Sequence, residues 1–342
     1  MTLIAFFDIK DYELEYFKNS EILQQNEVLF FDEPLLSVKK IPQKSLDAKV
    51  ISVFTPSRLT ADVLAEFKNL ALIITRSVGF SHIDVDYCKS NGIKIVTTTH
   101  YGDCTVAEFA FGLLLDLVRK ISTAANDVRS ADVKKYYTGV ELFGKTVGIV
   151  GTGAIGRQSV RIAKGFGMKI LAVDIFPDKD LEKVFDVKYT DIEDLCRKSD
   201  FILLHSPLTK DNYHLFDKEK FDIMKKSAVV VNTARGELID TKALYEALIN
   251  EKIAGAALDV IECEEYFSFE SNLLCDEKGS CADCVKKTLL NHVIVNLKNV
   301  IITPHIAYDT SDATNRILQK TVLNLEKFLQ NQPMPDELSL HK

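Results

Sequence analysis

Four side chains with complementary chemistry follow short apolar runs in the second half of the chain. They are a guanidinium, two carboxylates and an imidazole, supplied by Arg235, Asp259, Glu264 and His305. Because ligands of an open parallel sheet gather at the carboxyl ends of its strands, we expect these groups to meet at one edge. A guanidinium binds a planar carboxylate through two hydrogen bonds, and an imidazole paired with a carboxylate can give a proton to a developing alkoxide. The set is typical of hydride transfer to a 2-keto acid.

Each of the four residues also has a plainer explanation when it is considered alone. Arg235 could lie in a surface turn, and Asp259 could cap the N-terminus of a helix. Glu264 could be one of the solvated acids at positions 262–265, and His305 could be a hydrogen-bonded core histidine. Their joint placement after successive apolar runs favours a catalytic site over these alternatives.

A glycine-rich loop lies between an apolar run and a predicted helix near the middle of the chain. Its residues Gly151, Gly153 and Gly156 form the pattern G-x-G-x-x-G, which permits a tight turn, close approach of a pyrophosphate and close helix–strand packing. The first turn of the helix adds unpaired N–H groups for the phosphates. Asp174 ends the next apolar run, 18 residues after Gly156, where a carboxylate binds the ribose of NAD and repels the extra phosphate of NADP. The loop therefore predicts an NAD site.

Short apolar runs and helical stretches alternate along both halves of the chain. This alternation predicts an α/β fold built on parallel sheets. The 145 residues before the strand of the glycine loop must form a separate unit. The stretch 105–121 is apolar nearly all round, which predicts a helix buried between domains or between subunits, and 310–331 predicts one amphipathic helix. The segment 262–299 has no clear periodicity and is predicted to be a long connection.

Length and composition are those of a globular enzyme. At 342 residues the chain is long enough for two domains. A net charge of −7 without a basic block argues against a nucleic-acid partner. No apolar run approaches the roughly 18 residues of a membrane span, and the apolar N-terminus lacks the basic region of a signal peptide. We expect a cytoplasmic protein that binds neither nucleic acid nor membrane.

Seven cysteines are scattered through the chain. Cys281 and Cys284 form a C-x-x-C pair, with Cys275 upstream, which could hold a metal or carry redox chemistry. A closed zinc site needs a fourth ligand, and only His292 is near. An odd number of dispersed cysteines is not a secreted disulfide framework. We therefore favour a surface insertion that happens to contain thiols, and we predict no metal.

The motifs resemble those of the NAD-dependent D-2-hydroxyacid dehydrogenases, most closely their D-lactate dehydrogenase branch. The resemblance covers nearly the whole chain, and the combination of these motifs is highly specific. The stretches that carry it are TRSVGFSHID at 75–84, GTGAIG at 151–156, NTARGELID at 232–240, GAALDVIECE at 255–264 and IITPHIAY at 301–308.

The resemblance implies two Rossmann-like domains with parallel sheets. The substrate domain would be discontinuous, with residues 1–100 and 308–342 on either side of an NAD-binding domain at 101–307. The helix after Thr105 would cross between the domains and help to form a homodimer.

The resemblance also implies roles for individual residues. Arg235 would bind the substrate carboxylate and carbonyl beside the cofactor. His305 would be the general acid for reduction and the base for oxidation, with Glu264 as its partner. Asp259 would hydrogen-bond the nicotinamide end of NAD, and Asp174 would hold the adenine ribose.

Further implied contacts line the cofactor groove and the substrate pocket. The cofactor residues are Gly151, Gly153, Ala154, Ile155, Gly156, Ser206, Pro207, Asn212, Thr233 and Ala234. For the substrate, Val78 and Gly79 would offer backbone N–H groups to the carboxylate, and Tyr101 would cap a small side chain.

The implied reaction is the reversible reduction of pyruvate, or of a similar small 2-keto acid, to the D-2-hydroxy acid with NADH. Two alternatives remain open. One is a D-2-hydroxyisocaproate-type dehydrogenase, which acts on bulkier 2-keto acids. The other is a binding protein of the corepressor type, which shares this fold but senses NAD.

Overall fold

Two separate parallel sheets organise the protein, seen in a computed structural model that describes residues 1–134, 136–264 and 282–339. One unit comprises Met1–Tyr101 and Thr310–Lys342, and the other comprises Gly102–Asp309. Every strand pair in both sheets is parallel. The predicted α/β fold with two parallel sheets is confirmed.

The first unit is built on a five-stranded sheet. Its strands are β1 (Leu3–Phe6), β2 (Glu27–Phe30), β3 (Val50–Val53), β4 (Leu72–Thr75) and β5 (Lys94–Val96), in the order β2-β1-β3-β4-β5. Its helices are α1 (Asp11–Lys18), α2 (Glu21–Gln24), α3 (Ala61–Ala65), α4 (Val85–Ser90) and the C-terminal helix Ser311–Leu329. Ala5 of β1 is buried in one apolar cluster, whereas Ile4 and Phe6 are buried in another. Because neighbouring side chains of a strand point to opposite faces, both faces of this sheet are covered.

The second unit is built on a seven-stranded sheet. Its strands are β6 (Thr146–Val150), β7 (Lys169–Val173), β8 (Lys188–Tyr189), β9 (Phe201–Leu204), β10 (Val229–Asn232), β11 (Gly255–Leu258) and β12 (Val300–Ile302). The helices are α5 (Asp103–Arg119), α6 (Ile121–Arg129), α7 (Ala154–Gly165), α8 (Lys179–Phe185), α9 (Ile192–Lys198), α10 (Lys218–Ile223), α11 (Thr241–Ile249) and α12 (Ala282–Ile294). The strand order is β12-β11-β10-β9-β6-β7-β8. The chain winds outward in both directions from β6, which creates a crevice at the carboxyl ends of β6 and β9.

The apolar helix predicted over 105–121 is α5, and it is a core element of the second unit. It packs against α7, β10 and β11. Eight of its side chains are buried, and five of these belong to an apolar cluster of the second unit: Ala110, Phe111, Leu113, Leu114 and Val118. Its own unit therefore accounts for most of the burial that the sequence predicted.

Two predictions for the segment 262–299 are wrong. Residues 282–294 form helix α12, which packs against α11, rather than part of a long connection. Cys284 is not an incidental thiol, because it forms a disulfide with Cys263. Cys275 and Cys281 lie outside the described residues.

The described ranges contain neither a cluster of metal ligands nor a membrane-spanning helix. Within those ranges, no group of three His, Cys, Asp or Glu side chains could hold a metal ion. None of the helices described is both long enough and apolar enough to span a bilayer.

Candidate active site

An imidazole and a carboxylate meet beyond the ends of two neighbouring strands of the second unit. Nδ1 of His305 lies 2.8 Å from Oε1 of Glu264, which is hydrogen-bond distance. His305 follows β12 and Glu264 follows β11. The two side chains are 46% and 40% exposed, so the pair lies at the surface of its unit. Nε2 of His305 has no hydrogen-bond partner within the described part of the chain and can face a substrate.

Asp259 holds the backbone of the loop that carries His305. Its carboxylate accepts hydrogen bonds from the amides of Ile306 and Ala307 over 3.0 and 2.8 Å, and from the hydroxyl of Thr303 over 2.6 Å. His305 has a φ of 55°, a region that non-glycine residues seldom occupy. Such a conformation persists only where its surroundings fix it. Asp259 is buried, and its predicted contact with the nicotinamide stays a prediction.

Opposing effects act on the pKa of His305. Burial alone would lower this pKa below 6.5, but the hydrogen bond and the negative charge of Glu264 raise it. The charge of Asp259 also favours the protonated ring, and that of Arg235 opposes it. The net result is a pKa raised above 6.5, so the ring keeps its proton to a higher pH than an isolated histidine would.

Arg235 is presented by the turn that follows β10. Oδ1 of the buried Asn232 accepts from the amide of Ala234 over 3.0 Å, and its Nδ2 donates to the carbonyl of Arg235 over 2.9 Å. Nη1 of Arg235 donates to the carbonyl of Ala234 over 2.6 Å. A guanidinium has five N–H donors, so most of them remain for a ligand. The positive charge of Arg235 also acts on His305, which brings the predicted guanidinium into the same site.

Gly236 lets the Arg235 turn lie directly against the segment that leads to Glu264. A Cβ at this position would lie 2.1 Å from the carbonyl carbon of Ile261 and 2.4 Å from the backbone nitrogen of Glu262. Side chains do not make contacts this short. Any other residue would therefore push apart the two loops that carry the site.

Glu262 anchors the same segment through a buried carboxylate. It lies 2.8 Å from Nε2 of His214 and 2.8 Å from Nζ of Lys287. It also accepts from the amide and hydroxyl of Thr241 over 3.0 and 2.7 Å. Burial alone would raise the pKa of Glu262, but these donors hold it below its usual value. Glu262 is therefore not one of the solvated acids that the plainer explanation of residues 262–265 assumed.

The glycine-rich loop has the geometry that its pattern predicts. Gly151 has a φ of 91°, and a Cβ on Gly156 would lie 2.0 Å from the carbonyl oxygen of Gly151. A Cβ on Gly153 would meet nothing within 4 Å, so the backbone is open there to an approaching pyrophosphate. Helix α7 begins at Ala154, and the amides of Ala154 and Ile155 in its first turn have no partner within the helix.

Asp174 directly follows β7 and is held against the glycine loop. Oδ2 accepts from the amide and hydroxyl of Thr152 over 2.5 and 2.9 Å, and Oδ1 accepts from the amide of Phe176 over 2.8 Å. A carboxylate accepts about four hydrogen bonds, which leaves room for a ribose hydroxyl. Ile175 and Phe176, which were not among the predicted site residues, are 86% and 81% exposed and present apolar surface beside the acid. Their position directly after the acid was the sequence feature that could have indicated them.

Two hydroxyls in the groove fit a bound dinucleotide. Oγ of Ser206 and Oγ1 of Thr233 are buried without a hydrogen-bond partner in the described ranges. Buried polar atoms are normally hydrogen-bonded, so these two are suited to polar groups of a ligand. Asn212 instead shapes the loop, because it accepts from the amide of Thr209 and donates to the carbonyl of Pro207, both over 2.7 Å.

The residues predicted to contact the substrate outside this sheet belong to the first unit. Val78 and Gly79 follow β4, where Oγ of Ser77 donates to the carbonyl of Gly79 over 2.7 Å. Val78 is exposed, Gly79 is half-buried and Tyr101 is buried. Their contacts with a substrate stay predictions.

The sheet order, the open glycine loop at the switch point and the acid after the next strand define a dinucleotide-binding oxidoreductase. Comparisons with known proteins agree. The NAD binding domain of D-isomer specific 2-hydroxyacid dehydrogenases matches residues 111–307. D-lactate dehydrogenase of Escherichia coli is 34% identical over 98% of this chain and 99% of that protein. Glyoxylate and hydroxypyruvate reductases are relatives as well.

Solved structures with the same fold include enzymes for small and for bulky substrates. D-lactate dehydrogenase from Aquifex aeolicus, complexed with NAD and lactic acid, has a TM-score of 0.83 and 34% identity, covering 96% of each chain. D-2-hydroxyisocaproate dehydrogenase has a TM-score of 0.84 and 29% identity, covering 99% of this chain and 100% of that one. This chain belongs to the D-isomer specific 2-hydroxyacid dehydrogenase family. It is an NAD-dependent oxidoreductase, and the predicted family and cofactor are confirmed.

Proposed function

We propose that this enzyme reduces pyruvate, or a 2-keto acid of similar size, to the D-2-hydroxy acid with NADH, and that it catalyses the reverse oxidation. The observation that carries the proposal is the 2.8 Å contact between Nδ1 of His305 and Oε1 of Glu264, within electrostatic reach of Arg235. The likeness to D-lactate dehydrogenases supports pyruvate as the substrate.

The protein groups have separate roles in this reaction. Bound NADH supplies a hydride to the carbonyl carbon. Arg235 binds the substrate carboxylate and polarises the carbonyl with its planar set of N–H donors. Nε2 of His305 donates its proton to the carbonyl oxygen as negative charge develops there, and Glu264 stabilises the protonated ring. In the oxidation direction the same nitrogen takes the proton of the hydroxyl group.

We assign the cofactor to the second unit, which also carries Arg235, Glu264 and His305, and we assign further substrate contacts to the first unit. The glycine loop, the amides of Ala154 and Ile155 and the carboxylate of Asp174 would hold NAD along the crevice of the seven-stranded sheet. Ser206, Pro207, Asn212, Thr233, Ala234 and Asp259 complete the assigned groove. The substrate contacts assigned to the first unit are those of Val78, Gly79 and Tyr101. The proposed domain limits, 1–100 with 308–342 for substrate and 101–307 for NAD, differ by one or two residues from the two units of the structure, which place Tyr101 in the first unit.

A substrate panel tests the proposal. NADH oxidation would be followed with glyoxylate, pyruvate, hydroxypyruvate, 2-ketobutyrate and branched or phenyl 2-keto acids, and NAD reduction with D- and L-lactate. The highest kcat/KM for pyruvate, with D-lactate oxidised and L-lactate inert, is the expected result. A preference for glyoxylate or hydroxypyruvate would contradict pyruvate as the preferred substrate, and activity on L-lactate would contradict the proposed D-stereochemistry.

A D-2-hydroxyisocaproate-type dehydrogenase is the second candidate, favoured by the TM-score of 0.84 to such an enzyme. The same panel distinguishes it, because bulky branched keto acids would then react faster than pyruvate. An NAD-sensing binding protein of the corepressor type would bind NADH but turn over none of the keto acids.

We also propose that the enzyme is a homodimer. The stretch that follows α5 carries large apolar side chains that its own unit leaves exposed: Ile121, Val128, Val133, Val140 and Phe143. Such a group is typical of a subunit interface. A monomeric mass in light scattering at assay concentration would contradict the dimer. The expected cytoplasmic location stays a prediction.

A further inference from the structure

A disulfide lies directly beside the proposed acid–base pair. Cys263, the residue before Glu264, is bonded to Cys284 in the first turn of α12. The two cysteines are 21 residues apart in the sequence, and both are half-buried. The bond therefore ties the segment that carries Glu264 to a helix, and a reductant can reach it from solvent.

Three residues on one face of α12 hold this segment. Cys284 bonds Cys263, Nζ of Lys287 lies 2.8 Å from Oε1 of Glu262, and Nδ2 of Asn291 donates to the carbonyl of Glu262 over 2.9 Å. Residues three and four apart in a helix lie on the same side, which places all three in a row. Only the disulfide can be opened by a reductant. The other two contacts keep the helix docked when it opens.

The backbone of Cys263 needs to be held in place. Its φ is 55°, in the left-handed region that non-glycine residues seldom adopt. Such a conformation persists only where the surroundings impose it. Opening the disulfide removes one of these constraints. We expect Cys263 then to relax to a negative φ, which would turn the next residue, Glu264, away from His305.

The other described cysteines do not compete for a reductant. Cys88, Cys104 and Cys196 are free thiols. Burial raises the pKa of the Cys88 and Cys196 thiols to about 12, so neither forms a thiolate at neutral pH. Cys104 is exposed. A dithiol reduces disulfides and not free thiols, so within the described ranges the bond between Cys263 and Cys284 is the single place where it can act.

We propose that the bond between Cys263 and Cys284 is a thiol–disulfide exchange site through which a dithiol regulates the enzyme, an inference that rests on the proposed roles of His305 and Glu264. A thiolate of the dithiol attacks one protein sulfur, the protein S–S bond breaks and a mixed disulfide forms. The second thiol of the reagent then attacks the mixed disulfide. Two protein thiols and the oxidised, cyclic reagent result, so two electrons and two protons pass to the protein.

The exchange changes the pH range over which the enzyme reduces its substrate. Within the described ranges, the charged groups that act on His305 are Glu264, Asp259 and Arg235. Asp259 and Arg235 are held by contacts that do not involve the disulfide, so reduction displaces only Glu264. The loss of this carboxylate lowers the pKa of His305, and the ring loses its proton at a lower pH.

The test compares enzyme equilibrated with oxidised and with reduced dithiothreitol. After removal of the reagent, kcat/KM for pyruvate reduction is measured against pH, and peptide mapping under non-reducing conditions identifies the linked cysteines. At pH 8.5 we expect the oxidised enzyme to be about fivefold more active, and at pH 6 the two forms should agree within about twofold. Identical pH profiles, or a link that joins Cys275 or Cys281 instead, would overturn the proposal.

Three variants complete the test. Cys284→Ser should match the reduced wild type in both buffers, because it breaks the bond from the helix side. Cys104→Ser, which removes an exposed thiol elsewhere, should keep the wild-type response. Glu264→Gln distinguishes a failure of the proposed acid–base pair from a failure of the exchange proposal. If the pH profile of this variant matches that of the oxidised wild type, the assignment of Glu264 as the partner of His305 is wrong. If Glu264→Gln shifts the profile while reduction does not, only the exchange proposal fails.

Discussion

The amide of His305 donates to the carbonyl oxygen of Asp259 over 2.9 Å, so the proposed proton donor is held by the residue that directly follows the neighbouring strand β11. Together with the carboxylate contacts of Asp259 to the next two amides, this bond fixes the loop in its left-handed turn. One residue thus sets the position of His305 through its backbone and the charge around it through its side chain. Asp259 is in this respect a positioning residue.

Asp259→Asn should weaken both the anchoring of the His305 loop and the electrostatic stabilisation of the protonated ring. The amide group replaces one acceptor oxygen, which leaves at least one buried backbone N–H unpaired and lowers the free energy of unfolding by about 1–3 kcal/mol. The pKa of His305 should fall, since the charge of Asp259 raises it. Urea unfolding and the pH profile of kcat/KM measure the two effects. Asp309→Asn, at an exposed position of the same loop, is the control and should change neither. Wild-type stability with a wild-type profile in Asp259→Asn would contradict this role.

Glu264→Gln should move the pH dependence in a defined direction. Reduction requires protonated His305, so kcat/KM is constant below its pKa and falls as the pH rises through it. Without the carboxylate, burial is no longer offset, and the decline should begin at lower pH than in the wild type. Oxidation of the hydroxy acid requires the neutral ring and should show the opposite dependence. A decline that begins at the same or a higher pH in the variant would exclude Glu264 as the partner.

Gly236→Ala should disturb two loops at once. The new methyl group would meet the backbone of Ile261 at 2.1 Å, and overpacking of this kind costs about 1–3 kcal/mol in stability. We expect kcat/KM to fall as well, because Arg235 and Glu264 are displaced. Gly112→Ala is the matched control: its Cβ would meet nothing within 4 Å, and a helical alanine should stabilise slightly. Equal thermal unfolding temperatures and activities for the two variants would argue against the close packing.

Most of the candidate site could be predicted from local patterns in the sequence. The apolar runs at 229–231, 256–258 and 300–302 are strands β10, β11 and β12, and the polar residues after them meet as their order along the sheet requires. The glycine loop could also be predicted, because the spacing of its glycines reflects contacts within a single turn. Strand β2 was not predicted although residues 28–31 are apolar; it is a four-residue strand at the edge of its sheet and is only partly buried.

Contacts between distant segments could not be predicted. Glu262 looked like one acid in a polar stretch, and its burial depends on Lys287 and His214, which lie far away in the sequence. The bond between Cys263 and Cys284 likewise depends on where α12 docks. Neither partner is marked by local spacing, so only the folded chain reveals these interactions.

Asp174→Asn should relax the choice of cofactor. The amide keeps an acceptor for Thr152 but removes the negative charge that repels the 2′-phosphate of NADPH. The ratio of kcat/KM for NADPH to that for NADH should rise by about tenfold, equivalent to roughly 1.4 kcal/mol. Asp186→Asn, a change at an exposed carboxylate that ends α8, should leave the ratio unchanged. An unchanged ratio in Asp174→Asn would place the determinant elsewhere.

The most direct test of the account is the turnover of His305→Gln with NADH and pyruvate. Glutamine keeps polar atoms near Glu264 but cannot donate a proton as an acid, so kcat should fall by about 10²–10⁴-fold. NADH binding, followed by its fluorescence, should stay within about twofold of the wild type, since His305 does not hold the cofactor. That combination is the result the account predicts. Near-normal turnover would remove His305 from the mechanism and contradict the central claim.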